Sequence, residues 1–279
     1  VDRERLEAAI RRFKEAESQA AESGLSFAEA MRMLAGASIT DDGADSGVSD
    51  WSDVTAGPWL AKTLKALRGP DGASVDPGRA LKGKLRPYQK AGVQWMHLLS
   101  GLGLGACLAD DMGLGKTIQV LALLLARKRK VRKKQPNLLV VPASLLANWV
   151  AEIERFAPSL KAMIVHSSAM TIERMKHLTP EAFTGIDLVI TSYGTLLRLP
   201  VLAETSWDLL VLDEAQAIKN PKAKQARAAK ALKAKARIAL TGTPVENHLG
   251  DLWSIFDFIN PGLLGTSTQF ANYAKGLAD

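Results

Sequence analysis

Six short apolar runs alternate with helix-periodic segments between about residues 81 and 264. They are Ala106–Ala109, Leu138–Val141, Ala162–Val165, Leu188–Ile190, Leu209–Leu212 and Ile238–Leu240. Several lack the polar alternation of a strand with one wet face, so they read as strands covered on both faces. Strands separated by helices imply right-handed crossovers and a mostly parallel sheet, which places the chain in the α/β class. Such sheets bind ligands at the carboxyl ends of their strands. The polar residues that follow these runs are therefore the first candidates for chemistry.

After the first strand comes Asp110-Asp111-Met112-Gly113-Leu114-Gly115-Lys116-Thr117, followed by a helix carrying Ile118, Leu121, Leu124 and Leu125. Glycines let backbone amides curl around phosphate oxygens, and the helix N-terminus adds partial positive charge. Lys116 can reach β- and γ-phosphates, and the Thr117 hydroxyl can ligand magnesium. The strict pattern has glycine where this chain has Asp110. A phosphate loop needs a metal-holding acid on a neighbouring strand, and Leu209-Leu210-Val211-Leu212-Asp213-Glu214-Ala215-Gln216 offers one. Asp213 is expected to hold magnesium, and Glu214 to orient and polarise an attacking water.

Composition closes off several other classes. Cys107 is the only cysteine, so no internal disulfide forms, and His97, His166, His177 and His248 lack zinc-ligand spacing. No run approaches the ~18 apolar residues of a membrane span. Residues 1–53 carry 6 basic and 12 acidic side chains, and the remainder 30 and 17. That asymmetry suits a body meeting a polyanion. Residues 1–80 read as a helical extension: apolar periodicity over about 2–22, a Ser26–Glu29 capping box, an acidic linker over 37–50 and another apolar stripe at Leu60, Leu64 and Leu67. Residues 265–279 read as the start of a following helical segment. With Val1 first and no closing element at Asp279, the sequence reads as part of a longer protein.

The two candidate motifs have company: Leu85-Arg86-Pro87-Tyr88-Gln89, the run Val141-Pro142-Ala143-Ser144-Leu145-Leu146-Ala147-Asn148-Trp149, Ile190-Thr191-Ser192-Tyr193 and Leu240-Thr241-Gly242-Thr243-Pro244-Val245-Glu246-Asn247. In order and spacing, residues 81–264 resemble the first motor lobe of superfamily-two helicase-like ATPases, specifically the Swi/Snf family of bacterial type. The resemblance implies a RecA-like lobe using ATP and magnesium on double-stranded DNA. It implies nucleotide binding by Asp111, Met112, Gly113, Leu114, Gly115, Lys116 and Thr117, with Gln89 reading the adenine. Pro142, Ser144, Thr191, Ser192 and Tyr193 are implied to lie along the DNA backbone. Gln216, Thr241 and Thr243 are implied to couple that surface to nucleotide, although many members have histidine where this chain has Gln216. It implies a cytoplasmic, nucleoid-associated protein with a second RecA-like lobe outside these residues, and a DNA-bound protein complex as a further partner.

The same residues have plainer readings. Gln89 also reads as a solvated helix residue, Ser144 as the N-cap of a helix bearing Leu145, Leu146, Trp149 and Ile153, and Thr241 to Pro244 as a tight turn. Residues 127–134 hold seven basic side chains, and residues 219–237 hold eight with no acid. Both runs suit either phosphate neutralisation or a solvated face. Only Arg227 and Arg237 follow Glu214, and neither lies in a Gly-Arg motif. The catalytic arginine is therefore expected from the second lobe, and this chain alone is expected to turn over very slowly. The alternatives are a nucleotide-switched DNA- or partner-binding module without turnover, and another phosphate-loop NTPase such as an RNA helicase.

Overall fold

The computed structural model describes residues 75–130, 135–242 and 249–276. Chain contacts divide the protein at Gly69–Pro70, and every described residue belongs to the second unit. The helices expected between residues 2 and 67, the linker over 37–50, Arg132, Lys133 and Lys134 of the first basic run, and Thr243 to Asn247 lie outside the described residues.

All six expected strands are present: β1 Ala106–Leu108, β2 Asn137–Val141, β3 Ala162–Val165, β4 Leu188–Ser192, β5 Ser206–Leu212 and β6 Lys233–Leu240. They form one sheet in the order β1-β6-β5-β2-β4-β3, and every pairing is parallel. β6 begins five residues before its apolar core. Its leading Lys233, Lys235 and Arg237 alternate with alanines, and strand pairing with β5 carries them.

The helices are α1 Pro87–Gly101, α2 Lys116–Lys130, α3 Leu146–Phe156, α4 Ile172–Lys176, α5 Tyr193–Leu196, α6 Val201–Glu204, α7 Lys224–Lys230, α8 Leu249–Ile259 and α9 Ser267–Gly276. Period-two alternation sends each strand's side chains to two cores. Leu138, Val140, Val189, Leu210, Leu212 and Ala239 pack with residues of α5, α7 and α8. The intervening Leu139, Val141, Leu188, Ile190, Leu209 and Val211 are equally buried and face the row α1, α2, α3, whose members pack in sequence. α2 sits in the middle of that row. Seven successive residues, Val120 to Ala126, are buried, as for a helix enclosed on all sides. Each large aliphatic side chain so enclosed stabilises the fold by roughly 1.5–3 kcal/mol.

The result is a RecA-like three-layer lobe with all six carboxyl strand ends on one rim. α9 begins within the segment expected to be helical and packs against α8, and the Trp253 indole donates to Gly265 O at 3.1 Å.

Candidate active site

Two groups of residues meet on the carboxyl rim. The first surrounds the loop between β1 and α2. Gly113 and Gly115 adopt φ of 83° and 79°, conformations that only glycine enters freely. A Cβ on Gly113 would meet nothing, whereas one on Gly115 would lie 2.5 Å from Gln89 Nε2. Gln89 is buried, so the solvated reading is overturned. Its amide donates to Leu114 O at 3.0 Å and its oxygen accepts from Arg86 N at 2.9 Å, while Tyr88 Oη also donates to Leu114 O at 2.9 Å. The start of α1 is thereby tied to the crest of the loop.

Lys116 Nζ donates to the carbonyls of Asp110 and Asp111 at 2.7 and 3.2 Å. Asp110, where the strict motif has glycine, finds a partner in the wholly buried Gln119, whose amide donates to Asp110 Oδ2 at 2.9 Å. Sequence reasoning passed over Gln119, although one polar residue inside a helix otherwise this apolar was the available signal. Met112, at 81% exposed, and Leu114 stand open to solvent. The loop therefore presents its backbone and Thr117 at the start of α2, as a phosphate cradle requires.

Asp213 and Glu214 follow β5. Asp213 is 8% exposed, yet both carboxylate oxygens have donors: Trp149 Nε1 to Oδ2 at 2.7 Å and Glu214 N to Oδ1 at 2.9 Å. Burial raises its carboxyl above the usual carboxylate range, the Glu214 charge adds to that, and the two N–H donors and Lys116 pull the other way. Glu214 has φ 50° and ψ 56°, the one positive-φ non-glycine among the described residues. This turn aims its carboxylate at Gln216, whose amide donates to it. Thr241 Oγ1 in turn donates to Gln216 Oε1 at 3.0 Å, and Thr241 N to Leu108 O at 3.2 Å. An unbroken chain of bonds therefore runs from the acid strand through β6 to β1, and Thr241 does more than begin a turn.

The second group forms a cleft of about 510 Å³ beyond the ends of β2, β3 and β4, lined by Pro142, His166, Lys176, Ser192, Tyr193 and Arg198 among others. Pro142, Ser192 and Tyr193 of the expected backbone-contacting set meet here. Thr191 and Ser192 are buried and already bonded: Thr191 Oγ1 donates to Val165 O at 2.8 Å, and Ser192 Oγ accepts from Thr195 N at 3.1 Å. Tyr193 Oη donates to Asp213 O at 2.9 Å. Its burial, reinforced by Asp213 and Glu214, pushes the phenol well above its ordinary range, so it remains a donor. Ser144 is exposed in the short turn Ala143–Leu145, and Leu145 occupies the helix N-cap without a side-chain bond. The capping reading of Ser144 is therefore wrong. The chain enters α3 directly from a tight turn, which leaves no cap position at residue 144.

Several members of the basic runs are held by other parts of the fold. Arg127 pairs with Asp208 at 2.8 Å, Lys128 with Asp187 at 2.6 Å, Lys235 with Asp208 at 3.2 Å and Lys230 with Asp257 at 2.8 Å. Arg237 donates to the carbonyls of Phe258, Lys230 and Leu232 and lies over the Phe258 ring. Arg127, Lys128 and Lys230 are thus held by acids of the fold and Arg237 by carbonyls, whereas Lys222, Lys224, Arg227 and Lys233 are exposed, as the solvated-face and phosphate-neutralising readings both allow.

A parallel sheet with a glycine loop, a lysine and an acid strand on one rim defines a RecA-like phosphate-loop ATPase fold. The chain belongs to the SNF2-related domain family, whose model matches residues 88–276. It is 45% identical over 213 residues to YwqA of Bacillus subtilis, whose name describes an ATP-dependent helicase/translocase, covering 76% of this chain and 22% of that protein. It is 38% identical over 212 residues to the TATA-binding protein-associated factor MOT1 of Saccharomyces cerevisiae, covering 71% of this chain and 11% of MOT1. Among solved structures, the Sulfolobus solfataricus SWI2/SNF2 ATPase core in complex with double-stranded DNA is similar at 44% identity. Its TM-score is 0.62, with 72% of this chain and 41% of that one covered. The chain therefore spans a small part of its curated relatives' length. Among the described residues, no helix is long and apolar enough to cross a membrane.

Proposed function

We propose that this chain is the ATP-binding lobe of an ATP-dependent double-stranded DNA translocase. The observation that carries the reading is geometric: Lys116 is held at the glycine loop by carbonyls alone, and the buried Asp213 follows the parallel strand β5 on the same rim. The loop amides and Lys116 hold the phosphates, and Thr117 and Asp213 hold magnesium, which neutralises charge on the phosphates. Glu214 orients and polarises the attacking water, and its bond to Gln216 fixes the carboxylate. Gln89 recognises the adenine with a carboxamide that the chain now uses to brace the loop.

The cleft, with Lys176 and Arg198 on its margin, receives backbone phosphates of a duplex. Such contacts position without reading sequence. Support comes from the similarity to a SWI2/SNF2 core in complex with DNA. A second lobe supplies the positive charge opposite Lys116: of the two arginines after Glu214, Arg237 is occupied by three carbonyls and a ring, and Arg227 lies on α7 outside any Gly-Arg motif.

The test is phosphate release by these 279 residues and by a longer protein carrying the second lobe, each with and without duplex DNA and duplex RNA. The expected result is DNA-stimulated turnover by the longer protein and a rate lower by roughly 10³-fold or more for this chain. Robust DNA-stimulated turnover by this chain would place the catalytic arginine within it. Stimulation by RNA alone would make it an RNA-dependent enzyme. Tight ATP binding without turnover by the longer protein would make it a nucleotide switch.

A further inference from the structure

Asp213 is gripped from opposite faces of the sheet by two residues to which the nucleotide site assigns no role. Trp149 sits one turn into α3, on the face covered by α1, α2 and α3. It is 1% exposed, and its indole N–H donates to Asp213 Oδ2 at 2.7 Å. Tyr193 opens α5 and belongs to the core on the other face, and its hydroxyl donates to Asp213 O at 2.9 Å. The first bond fixes the carboxylate. The second fixes the peptide from which Glu214 turns into its left-handed conformation. Both helices start at the cleft: Pro142 and Ala143, just ahead of α3, line it, and so do Ser192, Tyr193, Gly194 and Thr195.

We propose that Trp149 and Tyr193 are positioning residues that clamp Asp213 and transmit occupancy of the cleft to the magnesium-holding carboxylate. This rests on reading Asp213 as the metal acid. An indole N–H donates only, so Trp149 holds Oδ2 in one orientation. Each carboxylate oxygen carries one protein donor and retains a further lone-pair direction for a cation. A phosphate backbone entering the cleft presses on the first turns of α3 and α5. Each turn is one hydrogen bond from Asp213, so the two sites share a short rigid connection rather than a long path. Partners of this kind, which orient a metal's own ligands, typically change metal affinity by about 10–100-fold when removed.

The experiment uses the full chain as wild type, Trp149→Phe and Tyr193→Phe. Binding of a fluorescent ATP analogue is titrated with magnesium, with and without duplex DNA, and repeated in EDTA. In Trp149→Phe the magnesium needed for half-maximal response is expected to rise about tenfold or more, with metal-free affinity unchanged. In wild type, duplex DNA lowers that magnesium requirement; in Tyr193→Phe this shift is lost. If Trp149→Phe does not fold, benzothienylalanine at position 149 replaces the N–H with sulfur at nearly the same shape and carries the same expectation. Requirements within twofold of wild type in both variants, or a wild type whose magnesium requirement ignores DNA, would overturn the clamp. A wild type that binds nucleotide without regard to magnesium would instead overturn the reading of Asp213 as the metal acid.

Discussion

The two rims of the sheet use cations in opposite ways. On the amino rim Arg127 and Lys128 meet Asp208 and Asp187 within 2.8 Å, each cation against a carboxylate, and the exposed Lys235 adds a further contact to Asp208 at 3.2 Å. On the carboxyl rim Lys116 Nζ meets carbonyl oxygens, and the Asp213 carboxylate meets N–H donors. Carbonyls and N–H groups orient these charges without neutralising them, so they remain free to act on a ligand. The carboxylate-paired cations of the amino rim therefore serve the fold, and the unneutralised charges of the carboxyl rim are left for chemistry.

The sharpest break of that comparison is between two lysines of one helix. Lys116→Ala is expected to weaken nucleotide binding by about 10- to 100-fold, the value of a charged hydrogen bond. Lys128→Ala should leave it unchanged and lower stability instead. Isothermal calorimetry of both variants decides, and equal affinities would erase the distinction between the rims.

A smaller effect is expected at Asp208. Burial alone would raise its carboxyl, but the hydrogen bonds and charges of Arg127 and Lys235 outweigh this and hold it below the ordinary range. A carboxyl depressed in the folded state stabilises the protein above its unfolded value, and the gain fades as pH falls through the lowered folded value. Asp208→Asn should cost about 1–3 kcal/mol at neutral pH and flatten the acid limb of stability against pH, with nucleotide affinity intact. Urea unfolding across pH 3–7 measures both; an unchanged acid limb would show that the pair contributes nothing.

Smallest of all is Ser144→Ala. With no cap bond to lose, it should shift unfolding free energy by less than about 0.5 kcal/mol. Any loss of DNA affinity in that variant then reports contact rather than folding. A destabilisation above about 1 kcal/mol would restore the capping role.

How much of this was legible follows from where each signal lies along the chain. Lys116, Thr117, Asp213 and Glu214 stood out because each follows an uninterrupted apolar strand, so periodicity alone marks the strand end. The true starts of β5 and β6 did not, because Ser206, Asp208, Lys233 and Lys235 are polar, and what holds them in strands is the β5–β6 pairing and, for Asp208, Arg127 of a distant helix. The hold of Trp149 on Asp213 was invisible for a different reason. An indole counts as apolar in any hydropathy pattern, and its acceptor lies 64 residues away. Only the strand order, which brings β2 beside β5, makes that contact possible.

That strand order also bears on how the lobe is assembled. β1 pairs with β6 alone, Ala106 against Ile238, whereas β2, β3 and β4 find one another within a much shorter stretch of chain. Pairings distant in sequence close slowly because the intervening loop must be ordered first. During synthesis from the N-terminus, β1 waits unpaired while β2 to β5 organise, and the phosphate loop acquires its shape only when β6 arrives. Pulsed hydrogen exchange during refolding is expected to protect Leu139 and Ile190 before Cys107. An arrested chain ending before residue 233 would then hold a preformed cleft beside a nucleotide loop that has yet to fold.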